Sequence, residues 1–220
     1  MLIGIFQSNL SGLDMFMAIL GFVLAIMIAL VLHEWAHAFA ACKSGDNTAK
    51  LMGRLSLNPA KHVEPIGLVM FLLVGIGWAK PVPVNPFNYR NFKWGNFFVS
   101  VAGVTVNLIL GILASLMFYI LWRFGDMANA GIVFLYMFFM YAMVINFSLM
   151  IFNLLPIFPL DGYNMLVSFT KPNNRYMKFV RDYSQVLLIV VLVVSMVTGG
   201  IFLLRDVLVD GFIGLWGLMF

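Results

Sequence analysis

The sequence has little of what a water-facing surface is made from. Only 10% of its 220 residues are charged and only three are histidine. Soluble domains carry about a quarter charged residues, so a single soluble globule is excluded. Cysteine is nearly absent. Cys42 stands alone, which rules out an internal disulfide, a thiolate cluster and a Cys-x-x-Cys site. The net charge of +4 is scattered along the chain, so no nucleic-acid surface is expected. Residues 1–14, "MLIGIFQSNLSGLD", lack the basic start and small-residue cleavage site of a removable leader. The first apolar span is therefore expected to be permanent.

What is present is hydrophobic residue, 63% of the chain, gathered in long runs. Segments from about Leu13 to Ala41, Gly95 to Trp122, Gly131 to Phe158 and Tyr183 to Leu204 can each cross about 30 Å of hydrocarbon as a helix. The expected architecture is an all-α polytopic membrane protein of about four transmembrane helices. It forms one membrane-embedded domain over residues 1–220, with a motif-bearing core at about 13–165 and an additional C-terminal span at about 183–204.

A fifth run, Ile66 to Trp78, is shorter and ends in "AKPVPVNP", whose prolines stop a helix. Lys43, Lys50, Arg54 and Lys61 precede it and Lys80, Arg90 and Lys93 follow it, so both flanks are expected at the cytoplasmic face. The run should then be re-entrant and the N-terminus external. Lys171, Arg175, Lys178 and Arg181 fall on that same cytoplasmic side after two more crossings. Irregular backbone at membrane depth needs protein shielding or a wet cavity, which is expected near residues 66–84. "LMGRLSL", residues 51–57, alternates like a strand and "PVPV" must be extended, so a short β element is expected at the cytoplasmic side. Trp216 suits an interface.

Ionisable residues inside such spans are costly, and "VLHEWAHAFA", residues 31–40, holds three of them. His33 and His37 share one helix face, and Glu34 lies about 100° round from His33. Two imidazoles at this spacing can hold Zn²⁺ while the unbound carboxylate takes a proton from water. A catalytic zinc usually has a third protein ligand. Asp161 in "FNLLPIFPLDGYN" is the candidate, because Pro156 and Pro159 release backbone near a span end and can turn this acid inward. Charge agrees, since Zn²⁺ with Asp161 and Glu34 ionised sums to zero.

Gly103, Asn107, Gly111 and Ser115 make a small and polar stripe suited to close helix packing. Asn146 and Asn153 share a face leading to Asp161; either can hydrogen-bond between helices, and an Asn near the metal can donate to a developing oxyanion. His62 lies in a basic loop without a helical partner and is expected to be structural.

These residues resemble the site-2 protease family of intramembrane zinc metalloproteases. The likeness rests on "HEWAH", "AGVTVN" at 102–107 and "NLLPIFPLDG" at 153–162, in the family's order, and "GWAKPVPVNP" at 77–86 is similar to a segment of its smaller prokaryotic branch. The resemblance implies one Zn²⁺ on His33, His37 and Asp161, Glu34 as general base, and Asn153 positioning or polarising substrate. It implies a three-helix core in a prokaryotic cell membrane, with the active site near the cytoplasmic face and no PDZ or cystathionine-synthase domain. Val104 departs from the family, which often has Pro there.

The function expected is hydrolysis of a peptide bond in the transmembrane segment of another protein, with the lipid bilayer as the other partner. Asn107 and the extended residues Pro81, Val82, Pro83 and Val84 are expected to contact substrate, which must be unwound to expose its carbonyls. A zinc transporter or sensor using the same ligands is the competing class. It would need a polar path to the far face, where "LGFVLAIMIALVL" is apolar. A prenyl-protein type of peptidase would call for a downstream glutamate as third ligand. The sequence leaves oligomeric state and substrate identity open.

Overall fold

The computed structural model describes residues 12–74, 77, 79–171 and 174–220. The expected external N-terminus, and Gly75, Ile76 and Trp78 of the fifth run, lie outside the described residues. In chain order the helices are α1 (Gly12–Ser44), α2 (Thr48–Leu51), α3 (Pro65–Val74), α4 (Phe92–Phe124), α5 (Ala130–Asn153), α6 (Asp161–Val167), α7 (Arg175–Asp182), α8 (Ser184–Thr198) and α9 (Gly200–Met219). Asparagines set several starts. Asn91 accepts from Trp94 N–H, Asn129 from Gly131 and Ile132 N–H, and Asn174 from Tyr176 and Met177 N–H, at the beginnings of α4, α5 and α7.

Among the described residues α1, α4 and α5 are long and apolar enough to span a membrane, which makes this a multi-pass membrane protein. Each of the three packs against the other two. On α1 the inward residues are Ala18, Phe22, Ala25, Ile26 and Ala29, at helical spacing, and they meet Ala114 of α4 and Ala142, Met143, Ile145 and Phe147 of α5. Lipid tails are as apolar as these side chains, so the bundle is held by close fit rather than by exclusion of water. Small residues supply the fit. Gly111 of α4, for example, sits against the Phe147 ring, and α9 closes over α4 and α5.

Three sequence expectations need correction. The fourth span does not run unbroken from Tyr183 to Leu204. α8 stops at Thr198, Gly199 adopts a left-handed φ of 71°, and α9 follows. α8 has 15 residues, a rise of about 22 Å, so a fourth crossing arises only if α7 and α8, bent by 75°, act as one span. The third span ends at Asn153, short of Phe158. The short β element does not form. Leu51 ends α2, Gly53 turns the chain at φ 66°, and Leu51, Met52 and Leu57 are exposed with no partner strand. Pro81 and Pro83 have no N–H to give a ladder, and the pairing that remains among the described residues is a single bridge, Val63 to Ala79.

That bridge matters for the fifth run. Lys80 N–H donates to the His62 carbonyl at 2.8 Å beside it, so both ends of the run meet. Between them α3 has 10 residues, about 15 Å of helix, half the thickness of a bilayer core. Trp216, expected at an interface, donates from Nε1 to Ser115 Oγ of α4 at 2.9 Å.

Candidate metal centre

α1 brings His33 and His37 into the bundle near its C-terminal end, and α6 brings Asp161 as its first residue. The turn between α5 and α6 is tight. A Cβ on Gly162 would collide with the Leu154 carbonyl oxygen, so the residue after the aspartate must be glycine for the chain to double back. His33 and Asp161 are 7% and 9% exposed. His33 Nε2 is 3.0 Å from His37 Nε2, and Asp161 Oδ2 is 3.5 Å from the first and 3.3 Å from the second.

The remaining imidazole nitrogens fix the chemistry of that triangle. His37 Nδ1 lies 2.7 Å from the Val99 carbonyl oxygen of α4, which only accepts, so Nδ1 carries the proton. His33 Nδ1 lies 3.2 Å from Asn107 Oδ1 and donates to it. In the neutral imidazoles both Nε2 atoms therefore face each other as lone pairs beside the Asp161 carboxylate oxygen. Three acceptors converging without a proton among them is the signature of a cation site, and these residues form the metal-ligand group found among the described residues. Ligands at about 2.0 to 2.2 Å from tetrahedral Zn²⁺ stand about 3.4 Å apart, so the three observed edges match one face of such a tetrahedron.

α4 makes room for this arrangement. A Cβ on Gly103 would come within 2.5 Å of both His33 Cε1 and His37 Nε2, so glycine is required where α4 crosses the histidine pair. The stripe from the sequence resolves into separate tasks: Gly103 clears the imidazoles, Asn107 holds His33, Gly111 receives Phe147 and Ser115 receives Trp216. Asn107, expected to contact substrate, is fully buried against His33. Asn153 is the last residue of α5 and donates from Nδ2 to its own helix at Leu149 O, 3.0 Å away. Asn146 likewise bonds back to Ala142 O at 2.8 Å. His62 is buried and lies 2.6 Å from the Ser56 carbonyl oxygen, a structural contact as expected.

Residues 79–88 cross the same end of the bundle as a strap. Val82 N–H donates to Glu34 Oε2 at 2.9 Å. Arg54 Nη2 donates to the carbonyls of Lys80, at 2.5 Å, and Pro81, at 3.2 Å. At the far end Asp46 accepts from Asn85 N–H at 2.6 Å and Asn88 Nδ2 at 2.8 Å. Burial by itself would raise the Asp46 carboxyl, but the donors from Asn85, Thr48 and Asn88 outweigh it and hold the group below its ordinary value. Sequence reasoning missed three of these contacts: the Val99 carbonyl, Arg54 and the Val82 amide. Two are backbone groups, which leave no residue-type signal.

Residues 117–197 match the model of Peptidase family M50. The protein YwhC of Bacillus subtilis, named as a candidate zinc metalloprotease, is 39% identical over 154 residues, covering 70% of this chain and 70% of that protein. Rip2 of Mycobacterium tuberculosis, named in the same way, is 32% identical over 191 residues, covering 80% of this chain and 68% of its own length. Rip2 of Mycolicibacterium smegmatis is 31% identical over 166 residues, 70% of this chain and 60% of that protein. No solved structure matches. The chain belongs to the site-2 protease family, Peptidase family M50, and is a zinc metalloprotease of that class.

Proposed function

We propose that this protein is an intramembrane endopeptidase that hydrolyses a peptide bond in, or at the end of, a transmembrane segment of another membrane protein. The observation that carries the reading is the meeting of His33 Nε2, His37 Nε2 and Asp161 Oδ2 inside a three-helix membrane bundle, with edges of 3.0 to 3.5 Å. His33, His37 and Asp161 would hold Zn²⁺, which when bound would supply a Lewis acid for activating water and polarising the scissile carbonyl. Glu34, one residue along α1 from His33, takes the proton from water and delivers it to the leaving amine. Asn153, at the end of α5, orients the substrate carbonyl with its second amide hydrogen.

The substrate enters unwound, because a helical segment has its carbonyls tied into its own ladder. The strap of Pro81, Val82, Pro83 and Val84 receives it. Val84 N–H has no partner among the described residues and is free to pair with it. Asn107, which the sequence puts along the substrate path, acts there through His33. We further propose that this end of the bundle faces the cytoplasm of a prokaryotic cell, with 66–79 re-entrant, a reading supported by the basic residues of the loops at 43–61, 80–93 and 171–181. The whole chain works as one protease domain.

The test is co-expression with a panel of single-span substrates. Glu34→Gln is expected to abolish cleavage while zinc content stays at one ion per chain, and Asp161→Ala to lose both. A zinc transporter would instead leave Glu34→Gln fully functional.

A further inference from the structure

Glu34 is held by a contact that its own helix does not supply. Its Oε2 accepts from the amide of Val82, a residue 48 positions away, at 2.9 Å. Pro81 and Pro83 on either side carry no N–H, so across residues 81–83 this amide is the sole backbone donor. The chain around it is fixed from several directions. Arg54 grips the carbonyls of Lys80 and Pro81, Lys80 N–H is tied to His62, and Asp46 holds Asn85. The Val82 side chain is buried in a small cluster with Ala38 and Ala49. Every nearby fixing limits the motion of one amide that points at one carboxylate.

We propose that the Val82 N–H is the positioning group for Glu34, and that the Pro-Val-Pro strap serves to present it. The proposal rests on Glu34 being the general base. A glutamate on a helix has three rotatable side-chain bonds, and a base must meet first the attacking water and then the leaving amine. Anchoring Oε2 restricts that freedom and leaves Oε1 for proton transfer. Hydrogen bonds to a charged acceptor are among the stronger ones, which suits an anchor. The flanking prolines pre-set an extended strap, so little ordering is left to occur at each turnover. Because the donor is backbone, the anchoring of Glu34 does not depend on which side chain stands at position 82.

The experiment uses the full chain in lipid nanodiscs with a single-span substrate. Val82→Pro removes the amide hydrogen, and so does replacement of Val82 by its α-hydroxy acid, which turns the amide into an ester of nearly the same shape and keeps the side chain. The ester and proline variants are expected to lower kcat by about tenfold to a hundredfold relative to wild type, with KM and zinc content unchanged. Independently of turnover, the ¹⁵N–H resonance of Val82 is expected to move in Glu34→Gln.

An ester variant with wild-type kcat, or with its loss in KM alone, overturns the proposal. If Val82→Pro loses zinc or fails to fold, the ester variant decides. Failure of the underlying reading looks different, since Glu34→Gln would then cleave substrate normally.

Discussion

α1 and α8 are both strings of apolar residues, yet they end in opposite situations. α1 buries Ala18, Gly21, Phe22, Ala25, Ile26 and Ala29 against α4 and α5, and carries the two histidines at its far end. α8 buries Ser195 alone, leaving Val186, Ile189, Val190, Val193, Val194 and Val197 exposed. Apolarity therefore marks what suits hydrocarbon, not what packs on protein. The packing signal is the admixture of small and polar residues at four-residue spacing, present in α1 and α4 and sparse in α8.

The contrast can be broken or sharpened by substitution, beginning where the largest effect is expected. Gly103→Val puts a side chain on the imidazole pair, so zinc stoichiometry should fall far below one and cleavage should drop by more than about a hundredfold. Elemental analysis of the purified variant checks this, and full zinc occupancy would show that α4 does not press on the site. Asn107→Leu removes the acceptor for His33 Nδ1 and should weaken zinc by about 10- to 100-fold in chelator competition, with the bundle still folded. Unchanged affinity would mean the imidazole is oriented by helix packing alone. Val193→Leu on α8, 53% exposed, should change stability by less than about 0.5 kcal/mol in thermal unfolding. A large loss there would reveal a protein neighbour on α8 and erase the contrast.

The metal centre was largely legible in the sequence. His33 and His37 at four-residue spacing are a local, one-helix fact, and Asp161 stood out as an acid beside prolines at a span end. The three core spans were legible for the same local reason. What escaped depends on distant partners. Alternation at 51–57 resembled a strand, but a strand needs a neighbour, and the nearest extended segment contains two prolines. The end of α8 at Gly199 was written as "GG", yet the apolar residues on either side hid the break. The link from Glu34 to Val82 joins a side chain to a backbone amide across 48 positions, and no spacing rule reaches that far.

The pairing of Val63 with Ala79, doubled by Lys80 on His62, ties off residues 64–78 like a purse string. The two ends of the run are thus fastened to each other before the chain reaches Val82, so a pull arising between them meets the knot before it meets the amide on which the glutamate depends.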